Sequence, residues 1–508
     1  MKKRIIASVL AVVMGLALCA CGTGNEVNTG EKALVKVTIP SHVSWPYQEN
    51  WKVWEYIREG TGMDLEVTSL PGSDASTKLS LMFSSPELLP DVMAFTYKPE
   101  SDKYVPQGAV IALDDMTEQM PNYNAWVDSL TDEQYENIVN VRKSYDGKVY
   151  YTPVTGREAS ENVRAWLYRK DIFDKHNLKV PETFDELYEV SKELKELYPD
   201  SYPFCMRSGM SNMDMTGASW KPYWTTGVYY DFDNEAWNYG AREDIMLDVL
   251  TFYKKMVDEK LLMPNFITID TTSWQELVST NRGFILPEFQ TRIDFFNSIA
   301  QREGIEFNLQ AMKPPVANAE TGVAKVNRYN IDPCGYVICN TFKEEGIKNA
   351  ARFLDWFYTD EAIELVSWGK EGETFETVDG KKQYILGEEG GQVQTLYGFS
   401  TYGAFLRMDP EAVAATESEG LAATRDVAME SLLPYANPVI NLAFNDEEAK
   451  MRNELYSAIN SYTAEMVTKF ILGQEPLSKF DEFKGDIEKM GVDEMLKVYE
   501  NAYSRVKK

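Results

Sequence analysis

Leu34-Val-Lys-Val-Thr-Ile39 is the stretch from which the fold reads. It alternates apolar with polar residues and is rich in β-branched side chains, the pattern of a half-buried strand, and Pro40 ends it. Forward from it, Trp51 to Arg58 predicts a helix that stops near Gly60 and Gly62. Asp64 to Ser69 predicts a second strand, Asp74 to Phe83 a second helix, and Pro90-Asp91 leads into the strand Val92-Met-Ala-Phe95. Strand–helix–strand–helix–strand opens an α/β layer with a mostly parallel sheet. Short strands follow within 108–115, 146–153 and 162–168. Thr183-Phe-Asp-Glu186 is a capping box in sequence, and Leu187, Val190, Leu194 and Leu197 fall on one face of the helix it starts. Asp244 to Lys260 reads as a helix, Gly283–Pro287 and Gly335–Cys339 as strands, 344–358 and 360–367 as helices, and 404–508 as mostly helical. Asp231-Phe-Asp-Asn-Glu235 reads as an acidic hairpin turn.

Backward from that first strand, Thr23 to Glu31 is polar and Gly-containing, a flexible tether. Before it, Lys2, Lys3 and Arg4 precede an apolar run from Ile5 to Leu18. That run is short of the ~20 residues a membrane span needs and reads as a secretory signal peptide. Leu18-Cys19-Ala20-Cys21-Gly22 resembles the bacterial lipobox, although Cys19 departs from the usual small residue at its position. The resemblance implies cleavage before Cys21 and lipidation of its thiol, which would hold the chain on the outer face of the cell membrane.

The chain carries 79 Asp and Glu against 51 Lys and Arg, a formal charge of −28, and loss of the leader removes three positive charges more. A surface this acidic disfavours nucleic acid and anionic lipid as partners. The 44% hydrophobic content is that of a globular chain long enough for two or three domains. Cys205, Cys334 and Cys339 make no disulfide framework. A spacing of five along a strand points Cys334 and Cys339 to opposite faces, so buried free thiols are expected. The chain has two histidines, His42 and His176. It has no His-Glu-x-x-His motif, no Gly-x-Ser-x-Gly elbow and no phosphate-binding P-loop.

Four segments, taken in order, resemble the extracellular solute-binding proteins of bacterial ABC importers, in particular the large oligosaccharide-binding lipoproteins. They are Asp146-Gly-Lys-Val-Tyr-Tyr-Thr-Pro153; the run from Tyr168-Arg-Lys-Asp171 to Pro181-Glu-Thr-Phe-Asp-Glu186; Trp368-Gly-Lys-Glu-Gly-Glu-Thr-Phe375; and the tail from Phe470 to Arg505. The resemblance implies an α/β, two-lobed periplasmic-binding-protein-like fold with a hinge and a ligand cleft. It places 34–155 and 326–376 in an N-terminal lobe and 160–325 and 380–508 in a C-terminal lobe, after a signal peptide (1–20) and a tether (21–33). It implies an oligosaccharide ligand, ABC permease subunits as partners, a monomer and no cofactor. Relatives often carry a calcium loop after the helix begun by Pro-x-Thr. Here Tyr198-Pro-Asp-Ser-Tyr-Pro203 offers one carboxylate, too few oxygen ligands, so no metal is expected there.

Sugar recognition needs flat apolar faces and planar polar groups, and open α/β sheets place ligands at the carboxyl ends of strands. On that basis the candidate ligand-binding residues are Trp45 and Tyr97 after two of the strands, and Trp220, Trp224 and Tyr229 in an aromatic, Gly-rich segment. Glu288, Arg328 and Asp332 beside two later strands, with Trp368 and Glu371 near the hinge motif, complete the set. Arg207, Arg292 and Arg328 each suit a carboxylate, so an acidic sugar or a peptide stays open as ligand. A secreted, lipid-anchored glycoside hydrolase and a non-transport carbohydrate sensor are the alternatives, since a catalytic carboxylate pair is not excluded by counting.

Overall fold

Val35, Val37 and Ile39 are at most 1% exposed while Leu34 and Lys36 face solvent; Thr38, on the other face, is buried as well, at 2%, so the alternation seen in sequence holds over the first half of the strand. It forms β1 (Leu34–Ser41) and pairs in parallel with β2 (Asp64–Pro71), from Leu34 opposite Asp64 to Ser41 opposite Pro71, and with β3 (Val92–Tyr97) on its other side. The helix Lys52–Thr61 between β1 and β2 buries Val53, Trp54, Tyr56 and Ile57 and ends on Gly62, which adopts the left-handed φ of 66°. After β4 (Val110–Ile111) the chain leaves this sheet. It returns much later as a further strand, antiparallel to β3, in the order second, first, third, returning, fourth. The computed structural model describes residues 32–42, 45–71, 75–97, 104–144, 146–156, 164–327, 334–386, 392–401, 403–417, 419–433, 442 and 444–505.

A second sheet is built on β5 (Arg164–Arg169). The hairpin β6 (Val228–Asp231) and β7 (Ala236–Tyr239) follows, then β8 (Ile285–Phe289) and β9 (Leu309–Met312), which flank β5 on either side, both antiparallel to it. The hairpin turn forms because Asp231 accepts from the backbone amides of Asp233 and Asn234. Thr183 caps the helix Phe184–Leu197 by accepting from the Glu186 amide at 3.1 Å, but Glu186 reaches back to the amide of Glu182, one residue before the box partner. Leu187, Val190 and Leu194 are buried on that helix, whereas Leu197 is exposed in its last turn.

The returning strand is β10 (Cys334–Cys339). Its Tyr336 and Ile338 enter one core and its Val337 and Cys339 another, on opposite faces of the first sheet. Cys205 and Cys339 are buried free thiols, both pushed up from the usual thiol range by burial. The hairpin β11 (Phe375–Val378) and β12 (Lys381–Tyr384) follows. Two large cores result. One gathers side chains from 35–154 and 336–413, the other from 165–326 and 421–496. Val393, Phe399, Phe405, Leu406 and Val413 pack in the first. This departs from the mapping that gave 380–508 to the C-terminal lobe: an apolar cluster between 393 and 413 completes the N-terminal core before the chain returns. The remainder of the second core comes from the helices Glu419–Glu430, Asp446–Ile471, Phe480–Lys489 and Val492–Ser504. Among the described residues no helix is long and apolar enough to cross a membrane.

Candidate functional site

The chain passes between the cores after Gly156 and again after Asn327, and these passages locate the edge at which the lobes meet. In the N-terminal lobe β10 starts opposite Tyr97, the last residue of β3. The crossing therefore arrives at the carboxyl ends of the parallel strands, the end where open α/β sheets take ligands. In the C-terminal lobe β5 begins at Arg164, opposite Phe289, so the end of β8 lies at the same interlobe edge.

Glu288 lies there, with none of its surface exposed. One carboxylate oxygen accepts from Arg207 Nε at 2.6 Å. The other accepts from Arg164 Nη1 at 3.3 Å and from the Phe289 amide at 2.9 Å. Burial pushes this carboxyl up, but the guanidiniums of Arg207, Arg164 and Arg292 outweigh burial and hold it below the ordinary carboxylate range. Aromatic faces back the cations: Arg164 stands 3.6 Å from the centre of the Phe289 ring, Arg207 5.2 Å from Trp274, and Arg292 5.8 Å from Trp274. Arg207 Nη1 also donates to Thr271 Oγ1 at 3.3 Å. Backbone pairing fixes the register, since the Cys205 amide donates to the Ile285 carbonyl and brings Arg207 level with Glu288.

Nearer the second crossing, Asp214 accepts through Oδ1 from both the amide and the hydroxyl of Thr226, at 2.6 and 2.7 Å. Among the described residues no donor reaches its Oδ2, and the residue as a whole is partly exposed. Burial raises its pKa to about 6 against the two Thr226 hydrogen bonds, and no charged group contributes. Asn327, the last described residue before the crossing, donates to the Asp214 and Trp224 carbonyls, both at 2.7 Å. Tyr456, 38% exposed on the helix Asp446–Ile471, lies close enough to feel the Asp214 charge. Across the cleft, just past β1, Trp45 stacks on His42 with ring centres 4.3 Å apart, and its indole N–H donates to Gln392 Oε1 at 2.6 Å. The described arrangement thus offers fixed cations, a free carboxylate oxygen and a half-buried indole along one edge. That combination suits binding a polar, ring-shaped solute.

The residues singled out in sequence fare unequally. Trp45 and Glu288 lie at the interlobe edge, but Glu288 faces inward with its oxygens occupied. Tyr97 ends β3 there, its side chain outside the described residues, as are Cys21, Arg328 and Asp332. Trp220 and Trp224 are corrected to core residues: they are 6% and 0% exposed, with Trp220 against Phe184 and Phe252. Tyr229 is buried in a network in which it donates to Glu243 and accepts from Lys221, leaving its hydroxyl no role toward a ligand. Trp368, 2% exposed, stacks on Tyr384 and donates to Asp409, so it packs the hinge-motif segment rather than a ligand. Glu371 lines a surface depression of about 720 Å³ with Glu59, Asp360, Glu361 and Glu364. Glu59 is at the end of its helix remote from β1's carboxyl terminus, which removes Glu371 from the cleft. Sequence reasoning does not single out Arg164 or Asp214; the only local sign of Asp214 is a carboxylate between two methionines, Met213 and Met215.

The family described as bacterial extracellular solute-binding protein matches residues 48–364. Lipoprotein LipO of Bacillus subtilis is 22% identical over 528 residues, covering 100% of this chain and 99% of that protein. A carbohydrate ABC transporter substrate-binding protein of Streptococcus pneumoniae is 23% identical over 466 residues, covering 87% and 86%. The crystal structure of the alginate-binding protein AlgQ2 without calcium ion superposes with a TM-score of 0.75 at 20% identity, covering 94% of this chain and 99% of that one, which establishes a shared fold.

Proposed function

The chain belongs to the bacterial extracellular solute-binding proteins, and from that premise we propose that it is the lipid-anchored receptor of an ABC importer. It takes an oligosaccharide into the cleft between its lobes and passes it to permease subunits. The observation that carries this reading is the interlobe edge itself. Two separately cored lobes are joined by chain crossings, with guanidiniums and a carboxylate at the crossing end of one and an indole at the crossing end of the other. A ligand touching both walls stabilises the closed arrangement by its extra contacts there, and that difference in affinity is all that drives closure. The pneumococcal carbohydrate importer component and the lipoprotein named among the relatives support the transport and anchoring parts.

The receptor works as a monomer, held at the membrane through Cys21 and the tether that follows it. Intact-mass analysis of membrane-extracted protein tests the anchor: a diacylated N-terminal cysteine supports it, and an unmodified, freely secreted chain contradicts it. Calorimetric titration of the purified chain against an oligosaccharide panel, with chromatography of the recovered sugar, tests the binding role. Saturable binding with intact sugar is expected. Accumulating products identify a glycoside hydrolase instead.

A further inference from the structure

We propose that the oligosaccharide is acidic, and that a uronate carboxylate of the ligand docks on Arg207 at the end of β8. The inference rests on the receptor reading above and narrows its substrate class. Glu288 is fully buried and accepts from Arg207, Arg164 and the Phe289 amide, so burial withholds it from a ligand. Its function is to position guanidiniums. Arg207 gives Glu288 its Nε–H and gives Thr271 one Nη1 hydrogen. A guanidinium has five N–H donors in a planar fork. Among the described residues three donors of Arg207 therefore have no acceptor, on a side chain still 15% exposed at the interlobe edge. A fork held along one side, with Nη groups open on the other, matches a carboxylate in bidentate fashion, and a neutral hydroxyl uses only one arm of it.

Arg164, Arg207 and Arg292 all act on Glu288. In a chain of formal charge −28 the surrounding field repels an anionic ligand, so an acidic sugar depends on fixed cations of this kind where it docks. Asp214 feels none of these cations and lies toward the second crossing, where its Oδ2 is placed for a sugar hydroxyl rather than the carboxylate.

The test titrates the mature chain with galacturonate, mannuronate and guluronate trimers, the same trimers with methyl-esterified carboxyls, and neutral trimers such as maltotriose. At least one acid is expected to bind about tenfold or more tighter than its ester, the equivalent of one charge-assisted pair. Arg207→Gln is expected to abolish that gap in the folded protein and, because it breaks the pair with the buried Glu288, to lower the melting temperature as well. Acid and ester binding equally, or neutral trimers alone binding, overturns the acidic assignment and leaves the receptor reading standing. A preference for the acid that survives Arg207→Gln overturns the role of Arg207. No binding by any trimer overturns both readings. The acid–ester comparison uses the unmutated chain, so a misfolded variant leaves the test decisive.

Discussion

The two walls of the cleft differ in kind. The N-terminal wall offers surface: Trp45 stacks on His42, its amide donates to His42 Nδ1 and its indole N–H to Gln392, and the ring stays half-buried. The C-terminal wall offers charge anchored from beneath, with the buried Glu288 holding two guanidiniums through direct hydrogen bonds. On one side, recognition and stability reside in separate residues. On the other they are fused, because the carboxylate that aims the cations is itself part of the core. Substitutions should therefore affect affinity alone on the N-terminal wall, and both affinity and folding on the C-terminal wall.

The most disruptive break is Glu288→Ala. Removing the buried carboxylate leaves guanidiniums facing one another in an apolar setting, and loss of one partner of a buried pair costs about 3–5 kcal/mol. The urea midpoint should fall steeply and anionic-ligand binding should go with it. Trp224→Ala comes next, at about 3–5 kcal/mol for a fully buried indole, with little change in ligand affinity for the fraction that stays folded. Trp45→Ala is the contrasting case: an unfolding midpoint close to the parent and affinity lower by roughly three- to tenfold, the worth of one aromatic platform.

A smaller effect is expected at Asp214. Its folded-state pKa of about 6 lies above its ordinary 3.8, so the protonated form favours folding. That contribution is fully present below about pH 4 and is lost as pH rises through about 6. Asp214→Asn should flatten this part of the stability profile, measured as melting temperature between pH 4 and 7. Smallest of all is Glu371→Gln in the remote acidic depression, expected to leave affinity unchanged in the same titration.

The difference between the walls also explains what was legible beforehand. The first two parallel strands of the N-terminal lobe alternate apolar with polar residues in sequence, the third is a short apolar run, and the carboxyl end of the first led directly to Trp45. Trp220 and Trp224 misled because a Gly-rich, polar segment looks unable to bury an indole. The glycines are what permit it. A Cβ on Gly240 would stand 1.8 Å from the Thr225 carbonyl oxygen and 2.7 Å from the Trp224 indole nitrogen, so their absence of a side chain lets backbone close over the ring. Arg164 and Glu288 meet through strand pairing across a separation of 124 residues, and Arg207 joins them across 81, contacts that no local pattern announces. The fold was thus readable wherever periodicity is local, and the charged site was hidden wherever it depends on register between distant strands.

Small-angle scattering of the mature chain with and without a saturating uronate trimer reads the closure of the lobes itself. A smaller radius of gyration is expected on binding, with the trimer recovered intact. An unchanged radius at demonstrated saturation, or a cleaved trimer, would contradict a receptor that works by closing its two lobes on the ligand.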